Sequence, residues 1–273
     1  MLTPSILSLF AVLGLFAGLL AGLLGIGGGI ILTPLFLVIF PLVQVPDSLL
    51  AHVAFGTSLA IIIPTSISSA LTHRRLGNVN SRQVGLLALG GIAGSFCGGL
   101  LASTLDTEML KGLFGVMQIA VSLRLFTSSA KATGGDLAAT PPPRSGLVLA
   151  GLAGGAFSAF FGVGGGIIAV PLMVLLLGIP MRTAVGNSSA LIVISSLTGT
   201  ATYILTGWGS LSPPAYLGYV NLLAALIVSP FTIMGARFGA RLAGKIPHDT
   251  LIRIFALLVL LVGLRIASSV FIP

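Results

Sequence analysis

Charge is the scarcest feature of this 273-residue chain: 7% of its residues are charged, and five of them are acidic. A soluble domain is about one quarter charged, so the composition excludes an ordinary soluble protein. The acidic residues all fall in loops or at the ends of apolar segments (Asp47, Asp106, Glu108, Asp136 and Asp249). A carboxylate within the membrane is the usual feature of a proton or cation relay. Its absence from the apolar segments argues against a cation transporter and against carboxylate-based proton coupling.

Cysteine and catalytic motifs are also scarce. Cys97 is the single cysteine, so no disulfide can form within the chain, and its surroundings (GSFCGG) predict a small side chain buried in an apolar helix. No HExxH, GxSxG, CxxC or Walker motif occurs, so we expect no enzyme activity, no cofactor and no metal site. The net charge of +8 includes no basic run with interleaved aromatic residues, and we expect no nucleic-acid partner.

Hydrophobic residues make up 56% of the chain and predict an all-α, polytopic membrane protein. Ten apolar segments can be drawn, five in each half: residues 5–24, 28–42, 50–71, 83–104, 109–126, 146–161, 165–179, 182–205, 216–243 and 250–271. The second segment offers eleven residues from Ile30 before Pro41 interrupts it. At ~1.5 Å per residue this spans half a bilayer, so the segment is either re-entrant or a tilted helix. The N-terminus has no basic region, and we expect no cleavable signal.

The two halves of the sequence repeat each other. LGIGGGIILTPL (residues 24–35) returns as FGVGGGIIAVPL (residues 161–172), and later windows match in the same order at offsets of 130 and 141 residues. We therefore predict a first repeat at 1–126, a cytoplasmic linker at 127–145, which is polar, small and Pro-rich, and a second repeat at 146–273. Each repeat should carry a helix broken at GxGGG.

Charge places the two repeats in opposite orientations. The connection after the third segment carries Arg74, Arg75 and Arg82, whereas its partner in the second half carries no charge. The connections after the fourth and ninth segments show the reverse bias. With basic loops in the cytoplasm, the halves are inverted relative to each other, as an odd number of segments per half also requires. We expect a multi-pass protein of the cell (inner or plasma) membrane with both termini outside.

The two glycine runs are the strongest candidates for a substrate site. Glycine frees the backbone from helical geometry, and a helix that restarts after a break presents N–H groups that favour anions. Two such ends from inverted halves would meet near the middle of the membrane. The alternative is that the glycines only let helices pack closely. The candidates are Gly25, Gly27, Gly28 and Gly29 in the first run and Gly162, Gly164, Gly165 and Gly166 in the second.

Polar side chains inside apolar helices form a second group of candidates: Thr57, Ser58, Asn187 and Ser188. Their hydroxyl and amide groups can donate hydrogen bonds to an oxyanion without adding charge. The alternative is that they bond back to their own helix. We expect these side chains to complete a substrate site with the glycine runs.

Two further pairs of equivalent residues flank these candidates. His52 and Arg182 lie near the two predicted mouths, where a cationic group would attract anions or act in gating. Arg182 could instead serve only to orient the chain. Pro34 and Pro171 follow their glycine runs at the same distance, and each is predicted to kink or end its segment.

The motifs taken together resemble the TauE/SafE sulfite exporter family. GxGGG followed by Pro-Leu, and then AxGTS or AxGNS, occur in the same order in both halves. The resemblance implies a membrane permease for sulfite, thiosulfate, sulfoacetate or a related sulfur compound. The family's glycine motif matches residues 25–29 and 162–166, and its polar helix motif matches Thr57-Ser58 and Asn187-Ser188.

The function expected from these features is a secondary transporter that exports a small sulfur oxyanion such as sulfite, by alternating access around a site at the membrane midplane. The alternatives are a permease for thiosulfate or an organosulfonate such as sulfoacetate, and an anion channel. The expected partners are the anion and the lipid bilayer. A homo-oligomer is compatible with the sequence, which does not specify one.

Overall fold

The computed structural model describes residues 4–24, 29–127, 142–211, 215–243 and 248–271. Its helices are α1 (Pro4–Leu24), α2 (Gly29–Ile39), α3 (Leu50–Arg75), α4 (Ser81–Thr104), α5 (Thr107–Thr127), α6 (Arg144–Phe161), α7 (Gly166–Pro171), α8 (Met181–Thr206), α9 (Leu222–Ala243) and α10 (His248–Phe271). A 3-10 turn (Phe40–Val43) follows α2, and another (Asp47–Leu49) precedes α3. A π-helical turn (Leu172–Leu176) continues α7. Most of the predicted linker lies outside the described residues.

The helices confirm an all-α, multi-pass membrane protein. Within the described ranges, six helices are long and apolar enough to cross a membrane: Asp47–Arg75, Ser81–Thr104, Thr107–Phe126, Arg144–Phe161, Met181–Thr206 and Leu222–Gly239. Large apolar side chains stay uncovered on their outer faces, such as Leu89 (64% exposed) on α4 and Leu226 (74% exposed) on α9. A soluble protein rarely exposes such surface, whereas lipid solvates it. Trp208, exposed just beyond α8, suits the boundary between membrane and water.

Two local predictions are wrong. The segment predicted at 216–243 becomes helical only at Leu222, because Tyr216–Leu217 and Val220–Asn221 (β1 and β2) pair as an antiparallel hairpin. Gly218 makes this turn possible with φ of +58°. Cys97 is an exposed free thiol rather than a buried one, since it lies with Phe96 on a face of α4 that no other described helix covers.

The halves of the chain interlock through exchanged helices. Helix α1 of the first half packs along α9 of the second, and α6 of the second half packs along α4 of the first. The remaining major contacts join α5 to α10, α3 to α8 and α4 to α8. Exchanging the two halves maps the α1–α9 pair onto the α6–α4 pair, whereas the α4–α8 contact is more extensive than its counterpart between α9 and α3. The two-repeat organisation stays a prediction. The inverted orientation of the halves stays a prediction.

Glycines bring the backbones of the exchanged helices into contact. A Cβ atom at Gly94 of α4 would collide with the carbonyl oxygen of Leu152 in α6, and one at Gly98 would meet the carbonyl of Ala156. The equivalent pair is built in the same way, because a Cβ at Gly18 of α1 would collide with the backbone of Thr232 in α9. Small residues permit this close approach where lipid supplies no hydrophobic drive for association. The pairs α4–α6 and α1–α9 are therefore tightly packed units.

We expect Gly94→Ala to lower the melting temperature of the purified protein in detergent, because the added methyl group has no space against the Leu152 backbone. Overpacking of this kind costs about 1–3 kcal/mol. Gly85 is a matched control on the same helix, since nothing lies within 4 Å of a Cβ there. Gly85→Ala should be neutral or slightly stabilising, because alanine favours a helix. Equal losses in the two variants would contradict the contact.

Candidate functional site

The second glycine run is a short non-helical break between α6 and α7. Gly162, Gly164 and Gly165 have φ values of +68°, +90° and +66°, a region that side chains with a Cβ rarely enter. The N–H groups of Gly162 and Val163 both donate to the carbonyl oxygen of Ser158, which closes the end of α6. Helix α7 then begins at Gly166. Glycine is required here by backbone conformation.

The start of α2 lies directly against this break. A Cβ at Gly29 would be 2.5 Å from the carbonyl oxygen of Val163. One turn further along α2, the buried hydroxyl of Thr33 donates to the carbonyl oxygen of Gly162 at 2.8 Å. Three other candidates of the first run, Gly25, Gly27 and Gly28, lie outside the described residues. The described structure therefore brings the end of the first run to the second break.

Helices α3 and α8 enclose the meeting point. A Cβ at Gly164 would lie 3.3 Å from Ile192 Cγ2 of α8 and 3.6 Å from Ile62 Cγ2 of α3. Ile62 and Ile192 are equivalent at the 130-residue offset. One turn before each isoleucine stands a serine, Ser58 in α3 and Ser188 in α8. The same face of each helix thus presents a hydroxyl and an isoleucine toward the breaks.

Ser58 and Ser188 are buried, 0% and 3% exposed, and neither hydroxyl oxygen has a hydrogen-bond partner among the described residues. Ser188 Oγ lies 3.2 Å from the Cβ position of Gly166. Some other buried hydroxyls of these helices bond back to their own backbone, as Ser195 does to the carbonyl of Leu191 at 2.8 Å. Ser196 and Thr200 of α8 also lack a partner among the described residues, but they lie two and three turns beyond Ser188. An unpaired buried donor costs about 1–3 kcal/mol. This cost makes the two serines the best-placed donors for a ligand.

Ser158 is a third buried hydroxyl beside the break that the sequence analysis did not identify. Its side chain is fully buried, its Oγ has no partner among the described residues, and its Cβ lies 3.0 Å from the Cβ position of Gly165. The equivalent position in the first half is Ala21. The Ser158 hydroxyl therefore has no counterpart in the sequence of the first repeat.

Thr57 and Asn187 hold the caps of helices from the opposite half. Thr57 Oγ1 accepts a hydrogen bond from the backbone N–H of Asn221, just before α9, at 2.9 Å. Asn187 Oδ1 accepts the backbone N–H of Asn80, just before α4, also at 2.9 Å, and its Nδ2 donates to Gln83 at 2.7 Å. Both side chains already have protein partners. Their predicted contact with substrate stays a prediction.

Asn80 and Asn221 are functional candidates that the sequence analysis missed. Asn80 Oδ1 accepts the backbone N–H groups of Arg82 and Gln83, and Asn221 Oδ1 accepts that of Ala224, so each asparagine caps its helix. They are equivalent at the 141-residue offset. An asparagine immediately before an apolar helix is a recognised N-cap signal and could have marked both.

Glycines before the two cap-binding residues complete this arrangement. A Cβ at Gly56 would lie 2.8 Å from the carbonyl oxygen of Tyr219, and one at Gly186 would collide with the carbonyl of Asn78. Tyr219 and Asn78 each lie two residues before their cap asparagine. In AxGTS and AxGNS the glycine therefore leaves space for the capping loop. The residue after the glycine, Thr57 or Asn187, accepts a hydrogen bond from that loop.

The remaining candidates lie outside this meeting point or shape its helices. His52 is 4% exposed, with its ring centre 5.0 Å from that of Tyr219, whereas Arg182 is exposed at the start of α8. Their predicted attraction of anions stays a prediction. Pro34 is buried inside α2 without ending it, and α7 ends at Pro171, where the backbone changes to a π-helical turn.

We expect Gly165→Ala to destabilise the protein more than Gly209→Ala. Both glycines have positive φ, +66° and +81°, so both substitutions strain the backbone by about 1–2 kcal/mol. A Cβ at Gly165 would also collide with the carbonyl of Gly154, while nothing lies within 4 Å of one at Gly209. Melting temperatures in detergent measure the difference, and equal shifts would contradict the crowding at the break.

Comparisons with known proteins agree with this architecture. The model of the family described as sulfite exporter TauE/SafE matches residues 10–266. A probable membrane transporter protein of Haemophilus influenzae is 34% identical over 253 residues, which cover 92% of this chain and 94% of the relative. The probable membrane transporter protein YunE of Bacillus subtilis is 30% identical over 273 residues, covering 94% and 96%. No solved structure matches the chain. The chain is therefore a membrane transporter that belongs to the TauE/SafE sulfite exporter family.

Proposed function

We propose that the protein is a secondary transporter that exports a small sulfur oxyanion such as sulfite, by alternating access around a site where the two glycine breaks meet. The observation that best supports this proposal is the pair of equivalent buried serines, Ser58 and Ser188, whose hydroxyls have no partner among the described residues. Helices α3 and α8 are antiparallel, since Ser69 Oγ lies 3.1 Å from Ser189 Oγ and the Cβ position of Gly199 lies 3.0 Å from Leu59. The two serines therefore lie on opposite sides of the Ile62–Ile192 contact, and an anion passing the breaks would accept a hydrogen bond from each in turn, which removes the cost of leaving that hydroxyl unpaired. The backbone N–H groups of the two glycine runs complete the proposed site.

The chemistry around the proposed site favours an anion. The described acidic residues Asp47, Asp106 and Glu108 lie before or at the starts of helices, away from the breaks. Helices α2 and α7 begin at Gly29 and Gly166, and a helix start carries a partial positive charge. At the start of α7 the N–H groups of Gly166 and Ile168 bond to the carbonyls of Gly164 and Gly165, so its contribution is this charge more than free donors. An anion in the membrane needs such compensation, because burying an uncompensated charge is costly.

Close packing around the breaks favours a small anion. The Cβ positions of Gly29 and Gly164 lie within 2.5–3.6 Å of the Val163 carbonyl and the side chains of Ile62 and Ile192. An oxyanion such as sulfite needs less displacement of these walls than an organosulfonate with its own carbon chain. This difference supports sulfite over sulfoacetate as the substrate.

We expect Ser58→Ala and Ser188→Ala each to raise the KM for sulfite flux in proteoliposomes. A hydrogen bond to a charged group contributes about 1.5–3 kcal/mol, so each loss should weaken binding roughly tenfold or more. Ser66 and Ser195 are matched controls on the same two helices, because their hydroxyls bond back to Ile63 and Leu191. Ser66→Ala and Ser195→Ala should leave the KM nearly unchanged. A similar KM in all four variants would overturn the serine assignment.

The substrate itself is tested by flux against a panel of sulfur anions, with and without a pH gradient. Sulfite should move fastest and show saturable counterflow, because a single site is exposed to one side at a time. Faster movement of thiosulfate or sulfoacetate would contradict the assignment of sulfite. Conductance far above transporter turnover, without counterflow, would favour an anion channel instead.

A further inference from the structure

We propose that Thr57 and Asn187 are gate residues rather than anion ligands, and that each holds one face of the transporter closed by binding the cap of a swinging helix pair. The bond from Asn221 N–H to Thr57 is named the first latch, and the bond from Asn80 N–H to Asn187 the second latch. The inference deepens the proposed function and rests on it, since gates presuppose a transported substrate. It reassigns two residues of the duplicated polar motif.

The two latches lie at opposite faces of the membrane. Helix α3 carries Thr57 near its start and ends at Arg75, five residues before Asn80. Asn187 lies two residues before Ser189, whose hydroxyl is 3.1 Å from that of Ser69 in α3. The 12 residues from Thr57 to Ser69 extend ~18 Å at ~1.5 Å per residue, so the latches lie toward opposite sides of the ~30 Å hydrocarbon core. Under the charge-based orientation, the first latch faces outside and the second faces the cytoplasm.

Each latch joins a tightly packed helix pair to the central helices. Asn221 caps α9, which packs along α1, and Asn80 caps α4, which packs along α6. The latch partners Thr57 and Asn187 belong to α3 and α8, which pack on each other. Backbone contacts through glycine hold α4 to α6, so the two helices should move together.

Away from the latches, where Gly56 and Gly186 meet backbone carbonyls, the seam between α4 and the central helix α8 is made by side chains and is looser than the packing between α4 and α6. Where α4 meets α8, a Cβ at Gly99 would contact the Thr202 side chain at 2.9 Å, and one at Gly91 would meet the end of the Leu191 side chain at 2.5 Å. Side chains of this kind can change rotamer, whereas the backbone carbonyls between α4 and α6 cannot withdraw. Movement at the α4–α8 seam therefore costs less than separation of α4 from α6.

The glycine break supplies a hinge at the right place. Helix α6 belongs to a swinging pair, and α7 lies between α6 and the central helix α8, in contact with both. The break between them contains three residues with positive φ, and hinges are short segments that absorb backbone rotation. A swing of α4–α6 away from α8 would therefore bend the chain at Gly162–Gly165, beside the proposed anion site.

Neighbouring residues connect the latches to the site. Thr57 precedes Ser58 and Asn187 precedes Ser188, so each central helix carries a latch and a proposed anion donor on successive residues. A small displacement of the helix around a bound anion would alter the geometry of the adjacent latch. The duplicated polar motif would then couple occupancy of the site to release of one gate.

The test measures access to the site from each side of the membrane, in the full-length protein with Cys97→Ala as background. Ser188→Cys reports on the first latch in combination with Thr57→Val, which removes the accepting oxygen at nearly constant shape. Ser58→Cys reports on the second latch in combination with Asn187→Leu. A membrane-impermeant thiol reagent is applied to right-side-out and inside-out vesicles. Thr57→Ser and Asn187→Thr are the conservative controls, since each keeps an oxygen acceptor.

Thr57→Val should speed labelling from one side only by about fivefold, the population shift expected when one ordinary hydrogen bond is lost. Asn187→Leu should speed labelling from the other side only, by about fivefold or more, because Asn187 loses its bonds to both Asn80 and Gln83. The conservative controls should label at the parent rate. Faster labelling from the same side in both variants, equal effects from both sides, or no change would overturn the gate assignment. The labelling assay needs no substrate. Its result can therefore be interpreted even if the protein does not transport sulfite.

Discussion

The structure depends on keeping backbone polar groups paired where a membrane helix is interrupted. In lipid an unpaired N–H or carbonyl group costs several kcal/mol, so a broken helix survives only where protein surrounds the break. Here the Gly162 carbonyl accepts the Thr33 hydroxyl, and the Ser158 carbonyl accepts two N–H groups of the break. Positive φ values at three glycines make these bonds geometrically possible.

This constraint explains why the halves of the chain interlock. A break covered only by its own half would face lipid, whereas exchange of α4 and α9 between the halves surrounds the meeting point with helices of both. The exchange also decides what can move. Because α4 is held to α6 and α9 to α1 by backbone contacts, the proposed rocking would move these helix pairs and not the two sequence halves.

Hydrogen bonding sorts the polar residues of α3 and α8 into three groups. Some hydroxyls, such as that of Ser195, donate to a carbonyl of their own helix, which satisfies the hydroxyl inside the membrane. Thr57 and Asn187 bind helix caps from the opposite half. Ser58 in α3 and Ser188, Ser196 and Thr200 in α8 are left without partners for their hydroxyls among the described residues, and of these Ser188 lies against the start of α7. Adjacent residues of one short motif therefore have different physical roles, one in assembly and one facing the breaks.

The sequence by itself determined the membrane class, the helix positions to within a few residues and the repeated glycine run, because hydropathy, turn residues and internal repeats are local properties of the chain. It also placed Ser58 and Ser188 among the site candidates. Only the tertiary structure separated them from Thr57 and Asn187, whose partners Asn221 and Asn80 lie 164 and 107 residues away along the chain. Whether a hydroxyl is paired depends on which distant backbone group the packing brings to it, and no pattern of neighbouring residues records that.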